Sequence, residues 1–250
     1  YQGVKMNVHD NIRGFSDLSS LLRPRSVAVI GASENPGNLG GLAVTFMLKF
    51  NYPGKIFPVN PKRDQVHGVP CFSSTADLPE VPDLAIIATS AQISVEMVRQ
   101  CAATGIRFGI IWAGGYAEVG TEGQALQDEL LQACVETGFT VLGPNCLGVI
   151  NSRQSLPATF ASFLLESDHL IEGDIAMISQ SGGLGTMAQS MAQKKGWGFG
   201  LLVSAGNEVM LTVADYIHAA VEDPNIKVIA AYIEGIRDGE RFAAALASAR

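Results

Sequence analysis

The stretch Ser26-Val27-Ala28-Val29-Ile30-Gly31-Ala32-Ser33-Glu34-Asn35-Pro36-Gly37-Asn38-Leu39-Gly40-Gly41 decides the fold. Its first five residues are a short β-branched run without polar alternation, the pattern of a parallel strand buried on both faces. The glycine-rich turn Gly31 to Gly41 leads into an apolar helical stretch from Leu42 to Phe50. Strand, glycine turn and helix in that order open a nucleotide-type α/β fold.

The same rhythm continues outward from there. Lys55 to Val59 reads as a second strand, and Pro58 places it at a sheet edge or about to leave the sheet. Leu84 to Ala88 is a third, followed by a helix from Ser94 to Thr104 that Gly105 stops. Phe108 to Trp112 is a fourth, the helix from Glu122 to Thr137 ends at Gly138, and Thr140 to Gly143 is a fifth. Strands alternating with helices at this spacing predict a doubly wound parallel sheet.

The rhythm breaks at Gly143-Pro144-Asn145-Cys146, and residues 151–173 read as irregular. A domain over residues 21–146 is therefore expected to precede another over 147–250. Alternation restarts with a strand at Asp174 to Ile178, the turn Ser179 to Gly185 and a helix from Thr186 to Lys195. A strand at Phe199 to Ser204, a helix at Val213 to Glu222, a strand at Val228 to Ile233 and a helix from Gly239 follow. The sequence stops inside that helix, at Arg250, so a fragment of a longer protein is expected. The opening Tyr1-Gln2-Gly3 before Met6 reads as a cloning remnant.

Composition narrows the partners. With 47% hydrophobic and 16% charged residues, the 250-residue chain is globular. Its formal net charge of −7 argues against nucleic acid or an anionic membrane surface as the main partner. The four cysteines (Cys71, Cys101, Cys134 and Cys146) and four histidines (His9, His67, His169 and His218) show no metal-ligand spacing, so no metal site is expected. Scattered cysteines without a signal-peptide core fit a reducing cytoplasm.

Candidate ligand residues begin with the first turn. Gly31, Ala32, Ser33, Gly37 and Gly40 stand where a backbone can approach a pyrophosphate at a helix N-terminus. The strict dinucleotide fingerprint is not met, because Ser33 replaces its second glycine and the loop is longer. NAD wants a carboxylate at the end of the second strand. Here that strand runs into Asn60-Pro61-Lys62-Arg63, where cations could meet a ribose phosphate. NADP and coenzyme A both carry one, and both survive this test.

A second cradle is expected at Ile178-Ser179-Gln180-Ser181-Gly182-Gly183-Leu184-Gly185, with Ser179, Ser181, Gly182 and Gly183 as its phosphate-binding residues. A nucleophile elbow on Ser181 would need Gly where Ser179 stands, and His218 is the only downstream histidine. Glu234 closes a strand at the carboxyl edge of the sheet, where a carboxylate can orient a histidine.

Taken in order, these segments resemble the α-subunit part of succinyl-CoA synthetase and, more closely, the fused NDP-forming acyl-CoA synthetases of the ADP-forming acetyl-CoA synthetase group. The likeness is carried by Ser26 to Ser33 with Pro36-Gly37, then Val59-Asn60-Pro61-Lys62, Gly143-Pro144-Asn145-Cys146-Leu147-Gly148, Ile178-Ser179-Gln180-Ser181-Gly182 and Ile233-Glu234-Gly235. Each motif is weak alone; the ordered set, from about Leu21 to the last residue, is specific. The resemblance implies a Rossmann-like CoA-binding domain followed by a flavodoxin-like α/β domain. It implies coenzyme A on the Gly31 loop and on Pro61-Lys62, and a phosphohistidine held by Ser179, Ser181 and Gly182 with Glu234 beside it. It further implies a small carboxylic acid as substrate, and an ATP-grasp domain or subunit that brings nucleotide and magnesium. No histidine here occupies the family's Ser-His-Thr-Gly-type motif, so this chain is expected to bind coenzyme A without turning over alone. Some relatives fuse these domains to an acetyltransferase, which leaves a CoA-sensing regulatory module as the alternative. An NADP-dependent oxidoreductase is a weaker third, and a homo-oligomer is compatible with all three.

Overall fold

The computed structural model describes residues 15–35 and 37–249. Tyr1 to Gly3, Met6, His9, Pro36 and Arg250, all used in the sequence reading, lie outside the described residues.

The first sheet holds five parallel strands: β1 (Ser26–Ile30), β2 (Lys55–Val59), β5 (Leu84–Ile87), β6 (Phe108–Ile111) and β7 (Thr140–Leu142), in the order β2-β1-β5-β6-β7. Every residue of β1 is buried, as its unbroken apolar run requires. β2 is the edge strand, which lets Pro58 sit in it at little cost. Between β2 and β5 lies a short hairpin, β3 (Gln65–Val66) and β4 (Val69–Pro70). His67 (φ 51°) and Gly68 (φ 79°) make its two-residue turn, both in the left-handed conformation that suits strand twist.

Helices α2 (Leu39–Lys49), α3 (Ala91–Ala103) and α4 (Thr121–Thr137) connect these strands, and α1 (Ser19–Leu22) precedes them. The switch in strand order falls between β1 and β5. Sheets of this topology bind ligands at that point, beyond the carboxyl ends of the strands.

The second sheet has the order β12-β10-β11-β8-β9. Its parallel part is β10 (Ile175–Ser179), β11 (Leu201–Ser204) and β12 (Val228–Tyr232), joined by α5 (Gly182–Lys194) and α6 (Val213–Val221) and followed by α7 (Gly239–Ser248). β8 (Gly148–Asn151) and β9 (Leu156–Thr159) add an antiparallel ribbon beside β11. That ribbon corrects the expectation that 151–173 is wholly irregular. Pro157 disguises β9 in sequence, but β9 is an edge strand and tolerates it.

Three helices start earlier than their sequence patterns predict: α3 at Ala91 rather than Ser94, and the glycine-led α2 and α5 at Leu39 and Gly182. Glycine costs roughly 1 kcal/mol in a helix interior, which pushes a sequence reading downstream of Gly40-Gly41 and Gly182-Gly183. The caps override it. Asn38 accepts the Gly40 N–H at 3.0 Å, and Ser181 accepts the Leu184 N–H at 3.4 Å.

One helix serves both sheets. Val44 and Met47 of α2 share a core with Val27 and Val29 of β1, whereas Phe46 and Phe50 pack with Ile150, Met177 and Leu202 of the second sheet. Lys49 Nζ also donates to the carbonyls of Leu164 (2.9 Å) and Leu165 (2.7 Å). Among the described residues, no helix is long and apolar enough to cross a membrane, and no group of three or more His, Cys, Asp or Glu could hold a metal ion.

Candidate functional site

Two open grooves lie at the carboxyl edges of the two sheets. The first, of about 470 Å³, is bounded by Gly37 to Leu39 after β1, Ala88 to Gln92 after β5, and Ala113 to Gly115 after β6. It sits at the switch point.

Local chemistry explains the shape of its glycine loop. Gly31 adopts φ 83°, and its N–H donates to the Val59 carbonyl at 3.0 Å, so the chain turns sharply off β1. A Cβ on Gly40 would collide with the Gly31 carbonyl oxygen, so only glycine lets α2 start this close to the strand end. Ala32 is fully buried, and Ser33 is nearly so, its Oγ accepting the Asn35 N–H at 3.1 Å. These two residues build the loop from within, while Gly37 lines the groove. Asn38 already satisfies the Gly40 N–H. The α2 terminus therefore presents its positive dipole end with fewer free donors than the sequence suggests.

Pro61 and Lys62 are exposed in the turn after β2. They do not line the groove itself, but Asn60 ties their turn to the glycine loop. Its Nδ2 donates to the Ala32 carbonyl at 2.8 Å, and its Oδ1 accepts the Lys62 N–H at 2.9 Å. Arg63 pairs with Glu34 at 3.3 Å, whereas no carboxylate among the described residues pairs with Lys62. The acidic residue that a dinucleotide ribose needs is absent from the end of β2, and an unpaired cation stands near it.

The second groove, of about 520 Å³, is lined by Ala117 and Glu118 of the first sheet's loops and by Gln180, Gly206 to Glu208 and Glu234 to Arg237 of the second. Ser179 is buried and donates its hydroxyl to the Ser181 carbonyl at 2.5 Å. That proton shapes the turn. Gly182 packs against Leu147, and a Cβ at Gly183 would meet nothing within 4 Å, so the first turn of α5 is open there. Glu234 is exposed on the groove wall, its own N–H donating to Gln180 Oε1 at 2.5 Å.

His218 stacks on Phe15 at 4.1 Å beside a separate cavity, and His67 lies 3.1 Å from Thr45 Oγ1. Neither residue lines either groove.

Sequence reasoning missed the residues that join the grooves. Asn207 Nδ2 donates to Glu118 Oε2 at 2.5 Å and to Gln127 Oε1 at 3.0 Å, and Arg237 donates to its carbonyl at 2.8 Å. Burial raises the Glu118 carboxyl, but Asn207 and the N–H groups of Gly115 and Tyr116 outweigh it and hold Glu118 below its usual range. Neither Glu118 nor Asn207 stands in a motif that marks it in the sequence.

Residues 25–152 match the family model described as a CoA binding domain. The chain belongs to the CoA-binding domain family. Beyond this CoA-binding domain, residues 172–250 match a second model, the succinyl-CoA ligase like flavodoxin domain. Over 93% of its length the chain is 37% identical to a trans-feruloyl-CoA synthase from an unknown prokaryotic organism, of which it covers 33%. Over 90% it is 36% identical to the alpha subunit of the ADP-forming acetate–CoA ligase II of Pyrococcus furiosus, covering 48% of that subunit. The solved dinucleotide forming acetyl-coenzyme A synthetase 1 of Ca. Korarchaeum cryptofilum, in complex with phosphate and ADP, superposes with a TM-score of 0.85 at 32% identity. That match covers 92% of this chain and 48% of the other. The chain with the CoA-binding domain thus spans about a third to a half of the relatives it matches.

Proposed function

We propose that this chain is the coenzyme A-binding and phosphoryl-cradling portion of an NDP-forming acyl-CoA synthetase. The whole protein would convert a carboxylic acid, coenzyme A and a nucleoside triphosphate into acyl-CoA, nucleoside diphosphate and phosphate. The observation that carries this reading is the Asn60 link, which sets a basic turn without a strand-end carboxylate beside a glycine loop at the switch point. Coenzyme A fits that arrangement: its pyrophosphate suits a helix N-terminus, and its ribose phosphate suits Lys62.

In this reading Gly31, Ala32, Ser33, Gly37 and Gly40 shape the coenzyme A loop, and Pro61-Lys62 present the cation. Ser181, Gly182 and Gly183 direct the α5 N-terminus at a phosphoryl group, with Ser179 bracing the turn. Glu234 accepts a hydrogen bond from, and so orients, a histidine supplied from outside the described residues. An ATP-grasp unit would supply nucleotide and magnesium, in a cytoplasmic setting. The boundary between the two domains is proposed at Cys146–Leu147, just before β8 opens the second sheet.

Titration calorimetry tests the core of the reading. Coenzyme A is expected to bind more tightly than NAD or dephospho-CoA, and Lys62→Ala to weaken coenzyme A more than dephospho-CoA. Tight NAD binding without coenzyme A binding overturns it, and equal losses for both ligands remove the phosphate role of Lys62.

A further inference from the structure

The second groove holds a cation that neither the coenzyme A loop nor the α5 cradle uses. Arg237, in the segment between β12 and α7, lines it beside Glu234 and Ile236. Among the described residues that line this groove, it is the one basic side chain. Arg25, Arg63, Arg99, Arg153 and Arg241 each pair with a carboxylate, whereas no ion pair among the described residues holds Arg237. Its charge reaches the buried Glu208, but there it only partly offsets the effect of burial.

What Arg237 does have is an anchor. One terminal nitrogen donates to the Asn207 carbonyl at 2.8 Å. The turn that carries this carbonyl is fastened to the segment after β7. There the Asn207 N–H donates to the Pro144 carbonyl at 2.8 Å, and Asn145 Nδ2 donates to Asn207 Oδ1 at 3.2 Å. A guanidinium is a rigid planar fork of N–H donors. An anchor at one nitrogen therefore orients the fork and leaves its other donors for a ligand.

A planar carboxylate matches such a fork, because it accepts a pair of parallel N–H···O bonds. Ala117 and Ile236, the latter 53% exposed, offer apolar surface in the same groove. Glu118 and Glu234 also line it, so a second negative group on the ligand would meet like charge. We propose that Arg237 binds the carboxylate of the acid substrate, and that the groove selects acids with a single carboxylate and an apolar chain. The substrate role rests on the acyl-CoA synthetase reading; the groove's preference for a monocarboxylate does not.

The test uses the full-length protein and its Arg237→Gln and Arg237→Lys variants. The probes are propionate, succinate (propionate carrying a second carboxylate) and inorganic phosphate. Arg237 is exposed, so both variants should keep the melting temperature of the unmodified protein. In Arg237→Gln the KM for propionate should rise about tenfold or more. The KM for coenzyme A, and that for phosphate in the reverse direction, should change less than about twofold. Arg237→Lys keeps the charge without the fork and should fall between. By kcat/KM the unmodified protein should prefer propionate to succinate by about tenfold or more.

Saturation-transfer NMR reads binding without turnover, and the propionate signal should be lost in Arg237→Gln. An unchanged KM for propionate, or equal use of succinate, overturns the proposal. A rise for coenzyme A or phosphate as large as that for propionate also overturns it, because Arg237 then serves a phosphoryl group. If no acyl-CoA forms, the functional reading fails separately, and NMR still decides the anion site. There, a propionate signal that is absent, or that Arg237→Gln leaves unchanged, overturns the proposal.

Discussion

Asn60 donates from Nδ2 to the Ala32 carbonyl 2.8 Å away, and this bond fixes where the basic turn stands relative to the glycine loop. Asn60→Ala should cost about 1 kcal/mol of stability and weaken coenzyme A by roughly tenfold, since two loops would lose their common anchor. Asn60→Asp keeps an acceptor for the Lys62 N–H but loses the donor to Ala32 and adds a negative charge. It should bind coenzyme A less well than Asn60→Ala. Calorimetric titration of both variants checks the order.

The two glycine turns should respond differently to a methyl group. At Gly40 a Cβ would overlap the Gly31 carbonyl oxygen, a backbone atom that cannot step aside. Gly40→Ala is expected to destabilise the chain by about 2 kcal/mol or more. At Gly183 a Cβ would enter open space, so Gly183→Ala should leave the melting temperature nearly unchanged. If the α5 terminus holds a phosphoryl group, that variant loses turnover while remaining folded. Thermal melts beside activity assays separate the two outcomes.

Asp215 and Arg241 form a buried ion pair between α6 and α7 at 2.5 Å. Asp215 also accepts the N–H and hydroxyl of Thr212, which closes the N-terminus of α6. Removing the cation strands a buried carboxylate. Arg241→Ala should cost about 3–5 kcal/mol, read as a shift of the denaturant midpoint.

Glu208 gives stability a slope with pH. Burial pushes its carboxyl up from the ordinary 4.5 to about 7 in the folded chain, which therefore binds the proton more tightly than the unfolded one. The contribution is complete below the unfolded value and is lost as pH rises through about 7, by no more than a few kcal/mol. Urea melts across that window should show stability falling with pH, and Glu208→Gln should remove that component.

The legible part of the site was what backbone geometry demands of residue type. Gly31 had to be glycine for its turn, Lys62 announced a cation where NAD needs an acid, and Glu234 ended a recognisable strand. The ribbon β8–β9 was not legible, because Pro157 breaks the strand pattern that an edge position permits. The true starts of α2 and α5 were hidden as well, because Asn38 and Ser181 outweigh the low helix propensity of the glycines that follow.

Sequence alone determined two α/β units, a glycine turn at the first strand end, and a basic turn after the second strand. Periodicity and turn chemistry are local, so neighbouring residues suffice to specify them. Tertiary structure alone decided that α2 is shared by both sheets, that Asn60 couples Lys62 to the loop, and that Glu118, Asn207 and Glu208 meet at the second groove. Those pairings join residues far apart in the chain, and packing and buried hydrogen bonds select them only once the sheets are in place.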